Sequence, residues 1–503
     1  MSNIKTLRPF INGKQIDSKA AKFTDAYNPS TGEVIARVPC CTVDEVELAI
    51  RAAKEAFPAW SATPVMNRVQ VLYKLRELII KHMDELTHLV AMEHGKVWDE
   101  AHGDVLKAKE GTEHAISAPS LMMGESIMDA SRGIDTVLYH EPVGVFAGIV
   151  PFNFPAMIPM GWMTPICIAC GNTIVLKAAT ATSQTTLRFA ELYKEAGLPD
   201  GVINVVTCSR DEVDLIVKHP DVKGISFVGS TSVGKLIYRS GAATGKRVQA
   251  LCEAKNHALV LEDAPIGRTA AGIINAAFGC AGERCMALPT VVVQESVADA
   301  LVSAIVEQAK KLKVGVAYDR ESGMGPLVTP SHLDFVLKWV EKGAREGAKI
   351  VLDGRGIKVE GYENGFYMGP TIFDHVKPGM TVGDEEIFGP VLCIKRVKDF
   401  EEGLNLINGN RFANGSVIFT QNGYYAREFT RRTHGGMVGV NVGIPVPVGI
   451  FPFTGHKDSF FGDLHCLGKD GFRFFTETKA VTTRWFDEEE MKKTATTTWD
   501  GTI

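Results

Sequence analysis

The sequence has few cysteines, no excess of charge of one sign and no apolar leader. It therefore lacks the features typical of secreted, nucleic-acid-binding or membrane-bound proteins. Ten cysteines in 503 residues are too sparse for a disulfide scaffold. The formal net charge is only −5, and no long run of one sign offers a binding surface for nucleic acid or for an anionic membrane. The first residues lack the apolar stretch of a signal peptide. We therefore expect a cytoplasmic protein that acts on small molecules, with no nucleic-acid or membrane partner.

Charge is also missing from one internal stretch. No charged residue occurs between Glu141 and Lys177, and that length would be enough to span a membrane. Proline breaks continuous helices, and the interval is interrupted by Pro142, Pro151, Pro155, Pro159 and Pro165. We therefore predict a strand, a turn and a buried helix, with a proline-kinked span as the less favoured alternative.

The chain is long enough to require more than one core, so we expect two or three domains. Apolar residues at spacings of three and four predict helices through residues 43–117. Short apolar runs then alternate with helical patterns, first to about residue 255 and again after it, which predicts βαβ units and parallel sheets. The expected fold class is therefore α/β.

Two short motifs suggest chemistry without deciding it. The run GSTSVGK at residues 229–235 follows a predicted strand and opens a predicted helix, where free backbone N–H groups favour phosphate. Leu236 stands where a P-loop needs a hydroxyl, so an ATPase is not favoured, and a plain turn fits as well as an anion site. Cys167 and Cys170 have metal spacing but lie in an apolar run without a second pair, which favours core packing.

The segment FGCAGERCMA, residues 278–287, contains the best candidate for a nucleophile. Arg284 adjoins Cys285, and a cationic neighbour or a helix end can lower the pKa of a thiol. Cys280 and Cys285 lack a second group of metal ligands at convincing spacing. On these ten residues alone, a structural cysteine is as well supported as a nucleophile.

Six motifs together resemble the aldehyde dehydrogenase superfamily over about residues 10–485. In chain order they are PFNFP (151–155), GNTIVLKA, FVGSTSVG, AGERC, EEIFGPV (385–391) and GVNVGIPVP. Within the superfamily, AKNHALVLEDA, FGCAGERCMAL and the stretch FTGHKDSFFGDLHCLGKDGFRFFTETKAVTTRW are most similar to the coenzyme A-acylating methylmalonate-semialdehyde dehydrogenases.

The resemblance implies the aldehyde dehydrogenase fold, divided into three parts. A Rossmann-like dinucleotide-binding domain would comprise residues 1–123 and 143–253, and a catalytic domain would comprise residues 254–455. A small β flap, formed by residues 124–142 and 470–490, would join subunits into a homodimer or homotetramer.

The resemblance also assigns roles to single residues. Cys285 would be the nucleophile, and Asn153 would donate a side-chain N–H to the oxyanion, together with the backbone N–H of Cys285. Arg284 and Lys107 would bind the substrate carboxylate, coenzyme A would be a co-substrate, and no metal is expected. The cofactor, NAD or NADP, would be held by Phe152, Lys177, Thr180, Gly229, Ser230, Gly234, Glu386 and Phe388.

Two departures from the family pattern are informative. Leu251 occupies the place where hydrolytic members carry a glutamate as general base, so we expect the thioester to pass to coenzyme A and not to water. Glu253, two positions later, keeps hydrolysis to a carboxylic acid as an alternative. Lys107 stands where semialdehyde-specific relatives have a second arginine, and lysine keeps the charge but loses the two-pronged geometry.

Substrate and cofactor choice are left open by these departures. The expected substrate is methylmalonate semialdehyde, malonate semialdehyde or another short acidic aldehyde, with loss of carbon dioxide to give propionyl- or acetyl-coenzyme A. Thr180 replaces a glutamate that commonly repels the NADP phosphate, whereas the most similar subfamily mostly uses NAD, so we expect dual use. A non-catalytic binding protein with this fold is the alternative from another class, and Cys285 and Asn153 count against it.

Overall fold

A computed structural model describes residues 4–492, so residues 1–3 of the predicted first domain lie outside it. Its helices are α1 Val43–Ala62, α2 Val65–Lys81, α3 Met83–His94, α4 Trp98–Ala115, α5 Ala118–Leu121, α6 Thr164–Ala169, α7 Ser183–Glu195, α8 Arg210–Lys218, α9 Thr231–Ala243, α10 Ile266–Phe278, α11 Glu295–Ala309, α12 Pro330–Arg345, α13 Thr381–Asp384, α14 Phe400–Gly409, α15 Gly423–Arg432 and α16 Gly468–Phe474. A π-helix covers Ile158–Met163, and 3-10 turns cover Thr180–Thr182, Gly279–Gly282 and Glu490–Lys492.

The strands are short, and most belong to two large sheets. They are β1 Lys5–Thr6, β2 Phe10–Ile11, β3 Lys14–Gln15, β4 Phe23–Asn28, β5 Glu33–Pro39, β6 Ser126–Ser131, β7 Ile134–Pro142, β8 Val145–Ile149, β9 Thr173–Lys177, β10 Ile203–Val206, β11 Val222–Val228, β12 Arg247–Leu251, β13 His257–Val260, β14 Thr290–Gln294, β15 Lys349–Leu352, β16 Thr371–Asp374, β17 Val391–Val397, β18 Phe412–Ala413, β19 Gly415–Phe419, β20 Met437–Val440, β21 Pro452–Phe453, β22 His456–Lys457, β23 Phe460–Gly462, β24 Cys466–Leu467 and β25 Thr476–Arg484.

The first large sheet has the strand order β23-β12-β11-β8-β9-β10-β2-β3. Its five central strands, β12 to β10, run parallel. The chain moves from β8 to β9 and β10 on one side and then returns to β11 and β12 on the other. In such doubly wound sheets, ligands bind beyond the carboxyl ends of the strands where the order reverses. Lys177 ends β9 and Gly229 directly follows β11, so both lie at this edge.

The second large sheet has the order β15-β16-β17-β14-β13-β19-β20. All of its strands run parallel except β15, which pairs antiparallel with β16. Helices α10, α11 and α14 pack against this sheet through apolar side chains. The predicted α/β class is confirmed, with two parallel-sheet layers in one chain.

A smaller sheet contains only antiparallel strands, in the order β25-β7-β6. Most side chains of β6 and β25 are exposed. The boundaries of the three predicted domains stay a prediction. Residues 460–462, which follow the predicted catalytic range, return to the first sheet as β23 and pair with β12.

The long uncharged stretch is a set of buried elements. It forms β8, a turn, the π-helix Ile158–Met163, α6 and β9, in which almost every residue is inaccessible to solvent. Within residues 4–492, none of the helices combines the length and the apolar character that crossing a bilayer would require.

Helix α4 contacts the π-helix backbone to backbone through two glycines. A Cβ added at Gly111 would lie 2.1 Å from the carbonyl oxygen of Gly161, and one added at Gly161 would lie 2.8 Å from the Cα of Ala108. Such a close approach leaves no room for any side chain. The contact fixes α4, which carries Glu100 and Lys107, against the segment that follows Asn153.

We expect Gly111→Ala to lower the free energy of unfolding by about 1–3 kcal/mol, the usual cost of overpacking a filled contact. Gly103→Ala is the matched control in the same helix, because a Cβ there meets nothing within 4 Å. It should raise stability by up to about 1 kcal/mol through helix propensity. Urea-induced unfolding of the two variants measures the difference, and equal effects would show that the glycine contact carries no packing constraint.

Candidate active site

A cavity of about 380 Å³ brings the candidate nucleophile and the candidate substrate-binding residues together. Cys285, Arg284 and Lys107 all line it. The other residues on its wall include Asp99, Glu100, Asp104, Phe154, Trp162 and Phe453. The cavity therefore has a half-buried cysteine, two cations, several carboxylates and an apolar wall, which suits a small polar substrate.

The loop that presents Cys285 is strained. It follows the end of α10, and Cys280 and Ala281 have left-handed φ angles of 50° and 51°, which cost on the order of 1–3 kcal/mol each outside glycine. Gly282 has a φ of 75°, and a Cβ there would lie 2.1 Å from the carbonyl oxygen of Gly389. The loop is thus pressed against a neighbouring segment, and glycine is required at the point of contact.

Two asparagines of the second sheet hold the backbone of the nucleophile. Asn256 Nδ2 donates to the Cys285 carbonyl at 2.9 Å, and Asn414 Nδ2 donates to the same oxygen at 3.2 Å. Asn256 Nδ2 also donates to the carbonyl of Ala287 at 2.7 Å. The position of Cys285 therefore depends on side chains that directly precede β13 and β19.

The Cys285 thiol is neutral in the free protein. Burial raises its pKa to about 12, and the nearby Glu386 carboxylate acts in the same direction. The backbone N–H groups of Cys285 and Met286 lower the pKa, as does the charge of Lys96, but by less. A nucleophilic thiolate therefore needs an additional positive charge or a base close to the sulfur.

Asn153 lies directly against the nucleophile loop. It is 2% exposed, and its Nδ2 donates to the carbonyl of Glu283, two residues before Cys285, at 3.2 Å. A primary amide has two N–H bonds, so one remains for a ligand. Among the described residues its Oδ1 has no hydrogen-bond partner. The geometry agrees with the predicted role of Asn153 at an oxyanion, which stays a prediction.

The glycine turn after β11 opens α9 as predicted. The Ser230 carbonyl accepts the Gly234 N–H at 2.9 Å, and a Cβ at Gly234 would lie 2.3 Å from Cys252 Sγ, so α9 packs directly on the end of β12. The Thr231 N–H donates to Glu253 Oε2 at 2.9 Å. Glu253, the alternative base, therefore has its carboxylate at the start of α9.

Helices α8 and α9 enclose a second cavity of about 350 Å³ beside this turn. Apolar side chains form much of its wall, and its lining includes Arg210, Val213, Val217, Val233 and Ile237. An apolar slot beside a helix N-terminus suits a planar base with an attached phosphate. The cavity agrees with the predicted nucleotide site at this turn, which stays a prediction.

The other predicted cofactor residues come from both sheets. Lys177 ends β9, and burial lowers the pKa of its ammonium group, while Thr180 starts the 3-10 turn that follows. Glu386 Oε1 accepts the Ala254 N–H at 3.0 Å. Burial raises the pKa of Glu386 to about 8, and the negative charge of Glu253 adds to the shift.

Phe152 and Phe388 meet between the two sheets. Their ring centroids lie 5.8 Å apart with the planes at 84°, an edge-to-face arrangement. Phe152 follows β8 of the first sheet, and Phe388 precedes β17 of the second. The pair therefore forms an apolar surface between the nucleotide edge and the nucleophile loop, as a bound ring requires.

Both predicted substrate cations already have carboxylate partners. Arg284 Nη2 lies 2.8 Å from Glu100 Oε1, and Arg284 Nε donates to Cys280 Sγ at 3.1 Å. Lys107 Nζ lies 2.6 Å from Glu110 Oε2 in a more exposed pair. Glu100 was not among the residues expected from the sequence, although it lies seven residues before Lys107 and therefore on the same face of a helix.

A buried ion pair, also missed, holds the segment after Asn153. Lys96 Nζ lies 3.1 Å from Asp104 Oδ2, and both side chains are fully buried. Asp104 Oδ1 accepts the Met157 N–H at 2.8 Å, and Lys96 Nζ lies 3.4 Å from the ring centroid of Phe154. Breaking such a pair leaves an uncompensated buried charge. Single charged residues in a helical pattern are typical of a surface, so the sequence carried no signal for it.

Most of the cysteines outside the cavity are buried. All ten are free, and Cys167 and Cys170 are buried, in agreement with the core-packing interpretation. Within residues 4–492, His, Cys, Asp and Glu side chains form no group of three or more that could hold a metal ion.

The fold and the site define a class of enzymes in which a cysteine loop of one parallel sheet faces the nucleotide-binding edge of another. The chain belongs to the aldehyde dehydrogenase family, whose sequence model matches residues 16–481. The family resemblance seen in the motifs is therefore confirmed.

The similar proteins include semialdehyde dehydrogenases. Malonate-semialdehyde dehydrogenase 2 of Geobacillus kaustophilus is 47% identical over 484 residues, which cover 96% of this chain and 100% of the relative. A Sinorhizobium meliloti protein assigned as a methylmalonate-semialdehyde dehydrogenase and solved with NAD is 41% identical, with a TM-score of 0.95 over 97% of this chain and 99% of that one. The structure of methylmalonate-semialdehyde dehydrogenase from Oceanimonas doudoroffii is 43% identical, with a TM-score of 0.95 over 97% of this chain and 100% of that one.

The raised thiol pKa predicts slow alkylation of Cys285 by iodoacetamide in the free enzyme. The rate should rise about tenfold per pH unit from neutral pH upwards, because the thiolate fraction grows in that proportion below the pKa. Cys40 is the other half-buried cysteine, so a Cys40→Ser background removes its contribution. Peptide mass spectrometry measures the rate, and a plateau at neutral pH would show that the thiol is already activated.

Proposed function

We propose that this chain oxidises a short aldehyde carrying a carboxylate, of the malonate or methylmalonate semialdehyde kind, and transfers the acyl group to coenzyme A. NAD or NADP is the oxidant. Relatives named for these two substrates, 41–47% identical over nearly the whole chain, support the substrate class. Two observations support the cofactor. NAD is bound in the Sinorhizobium meliloti structure, and the first sheet is doubly wound, with a glycine turn at the carboxyl end of β11.

Oxidation begins when the Cys285 thiol loses its proton to solvent, a loss that the positive charge of a bound oxidised nicotinamide ring would favour. The sulfur then bonds to the aldehyde carbon, which moves an electron pair onto the oxygen. One N–H of Asn153 and the backbone N–H of Cys285 donate to that oxyanion. The bound nicotinamide dinucleotide supplies the hydride acceptor. When the oxyanion re-forms the carbonyl, the aldehyde hydrogen leaves with its electron pair and Cys285 keeps the acyl group as a thioester.

The observation that carries the acyl-transfer step is the environment of Leu251. It is 5% exposed and belongs to an apolar core, and a leucine cannot take a proton from water. Glu253 is disfavoured as a substitute base, because its carboxylate is oriented toward the start of α9, where Oε2 accepts the Thr231 N–H. A thioester reacts far more readily with a thiolate than with unactivated water, so the acyl-enzyme waits for coenzyme A.

Two further steps complete the reaction. The carboxylate lies β to the thioester carbonyl, so carbon dioxide can leave while the thioester holds the electron pair of the broken C–C bond as an enolate, which then takes up a proton. The coenzyme A thiolate then bonds to the carbonyl carbon, and the bond to Cys285 Sγ breaks. The products are acetyl- or propionyl-coenzyme A, carbon dioxide and reduced cofactor.

Arg284 and Lys107 provide the positive charge for the substrate carboxylate. Both line the cavity that contains Cys285, and the Arg284 guanidinium is held beside the nucleophile by Glu100 and Cys280. An entering carboxylate shares Arg284 with Glu100. Arg284 and Lys107 can therefore attract a small anion, but the carboxylates on the same wall make this attraction weaker than that of two unpaired arginines.

The proposal also includes association into a homo-oligomer, use of both NAD and NADP, and a cytoplasmic location. The flap sheet and the residues beside it expose large apolar side chains, namely Ile127, Met128, Tyr139, Val481 and Trp485, which supports a homodimer or homotetramer. Thr180 carries no charge to repel a phosphate, which supports use of both NAD and NADP. Ten free cysteines agree with a reducing cytoplasm.

The absence of a base predicts dependence on coenzyme A. Without coenzyme A, malonate semialdehyde and NAD should give a burst of about one reduced cofactor per site and then turnover slowed roughly 100-fold, since general-base catalysis contributes that much or more. Stopped-flow absorbance measures both phases, with Cys285→Ala as the control that gives no burst. Equal steady-state rates with and without coenzyme A would favour hydrolysis.

The charge arrangement around Arg284 predicts selectivity for acidic aldehydes. Arg284→Leu should raise the KM for malonate semialdehyde by about 30-fold or more, the typical effect of removing a charge partner, and leave the KM for propanal nearly unchanged. Glu100→Gln, which releases Arg284 from its partner, should lower the KM for the acid only. Equal changes for both aldehydes would show that Arg284 supports the nucleophile loop instead.

A further inference from the structure

Phe388 occupies a strained backbone conformation that needs an explanation. Its φ is 58°, in the left-handed region that bulky side chains rarely adopt. It lies in the segment between Glu386 and Gly389, and its half-buried ring meets that of Phe152 edge to face. Strain of this kind persists only where neighbouring groups hold the backbone in place.

The group that holds the Phe388 backbone is His332, in the first turn of α12. His332 Nε2 lies 2.7 Å from the Phe388 carbonyl oxygen. A carbonyl only accepts, so Nε2 carries the hydrogen and donates it. The His332 N–H itself donates to the N-cap residue Thr329 at 3.2 Å, which fixes the imidazole at the start of the helix.

The imidazole also completes an aromatic cluster. Its ring lies edge to face with Phe152 at 5.7 Å and with Phe388 at 6.3 Å, and it stacks on Phe335 at 5.8 Å. His332 is therefore tied to Phe388 twice, once through its hydrogen bond and once through ring packing. The two contributions can be separated by substitution.

Helix α12 also packs against the same segment through the side chain of Val336. A Cβ at Gly389 would lie 2.6 Å from Val336 Cγ2, one turn after His332. Gly389 also contacts the nucleophile loop, since a Cβ at Gly282 would lie 2.1 Å from the Gly389 carbonyl oxygen. A movement of α12 would therefore shift Phe388 relative to Cys285.

Glu283 offers the only competing acceptor recorded for His332 Nε2 among the described residues. Its Oε1 is 3.5 Å from Nε2 and already accepts the Val328 N–H at 3.2 Å. Since 3.5 Å is long for a hydrogen bond and 2.7 Å is short, the donor is committed to Phe388.

We propose that His332 is a positioning residue for hydride transfer. Its Nε2–H holds the strained Phe388 backbone so that the rings of Phe388 and Phe152 form one wall of the nicotinamide site, facing Cys285. The inference rests on the proposed function, because it takes Phe388 to be a contact of the nicotinamide ring.

Three variants separate the hydrogen bond from packing. His332→Phe keeps an aromatic ring but removes the donor, and His332→Gln keeps an N–H donor without the ring. Phe335→Leu is the packing control, since it removes the ring stacked on the other face of His332, and Phe335 is largely exposed. Thermal unfolding of each variant checks that the fold is retained.

Binding is measured by calorimetry with NAD and with ADP-ribose, which has the same nucleotide but no nicotinamide. We expect His332→Phe to weaken NAD about tenfold, the effect of one hydrogen bond to a strained element, and to leave ADP-ribose unchanged. His332→Gln should recover most of the loss, and Phe335→Leu should change neither ligand. An equal loss of NAD and ADP-ribose in His332→Phe would overturn the positioning role.

The kinetic readout is the primary isotope effect with an aldehyde deuterated at the carbonyl carbon. His332→Phe should lower kcat and raise the isotope effect, because misplacing the ring slows hydride transfer, while the KM for the aldehyde changes little. Phe388→Leu should act in the same direction. If Phe388→Leu changes neither NAD affinity nor the isotope effect, the ring contact assumed in the proposed function is wrong. A response to Phe388→Leu with none to His332→Phe overturns this inference alone.

Discussion

The loop before Cys285 is pressed against the segment that contains Glu386 and Phe388, and the rest of the site depends on this contact. Gly282 has no side chain where a Cβ would lie 2.1 Å from the Gly389 carbonyl oxygen. The two preceding residues, Cys280 and Ala281, pay for this approach with left-handed backbone angles. Because β14 lies between these two segments in the chain and pairs with β17, the parallel sheet holds both ends of the contact. The second sheet therefore fixes the position of Cys285 relative to the segment that contains Glu386 and Phe388.

The electrostatics of the cavity follow from burial. Low solvent access keeps the Cys285 thiol protonated and raises the pKa of the Glu386 carboxyl. Both groups are therefore mostly neutral at pH 7 before ligands bind. The two cations, in contrast, stay charged, and Arg284 and Lys107 each form an ion pair with a carboxylate. An unpaired charge is costly where Arg284 is buried. Because Arg284 is paired with Glu100, an anion that binds to it must take the place of that partner or share it.

Much of the fold could be predicted from the sequence, because the patterns that indicate it are local, whereas the candidate site residues were assigned through the family resemblance and stay a prediction. The periodicity of residues 43–117 gives α1 to α4, and the glycine turn at residues 229–235 identifies the start of α9. The partners of these residues could not be predicted. Glu100 lies 184 positions before Arg284, and His332 lies 56 before Phe388, so no spacing rule connects them. The Gly111–Gly161 contact is invisible for the same reason, since only tertiary packing brings the two backbones together.

The central claim is that the acyl group waits on Cys285 because Leu251 offers no base to water. Intact-protein mass spectrometry tests it directly, on enzyme mixed with malonate semialdehyde and NAD in the absence of coenzyme A and quenched in acid. The account predicts one added acyl group per chain, located on the Cys285 peptide, which disappears as acetyl-coenzyme A forms when coenzyme A is supplied. Complete turnover to free carboxylic acid, with unmodified enzyme and no effect of coenzyme A, would contradict it.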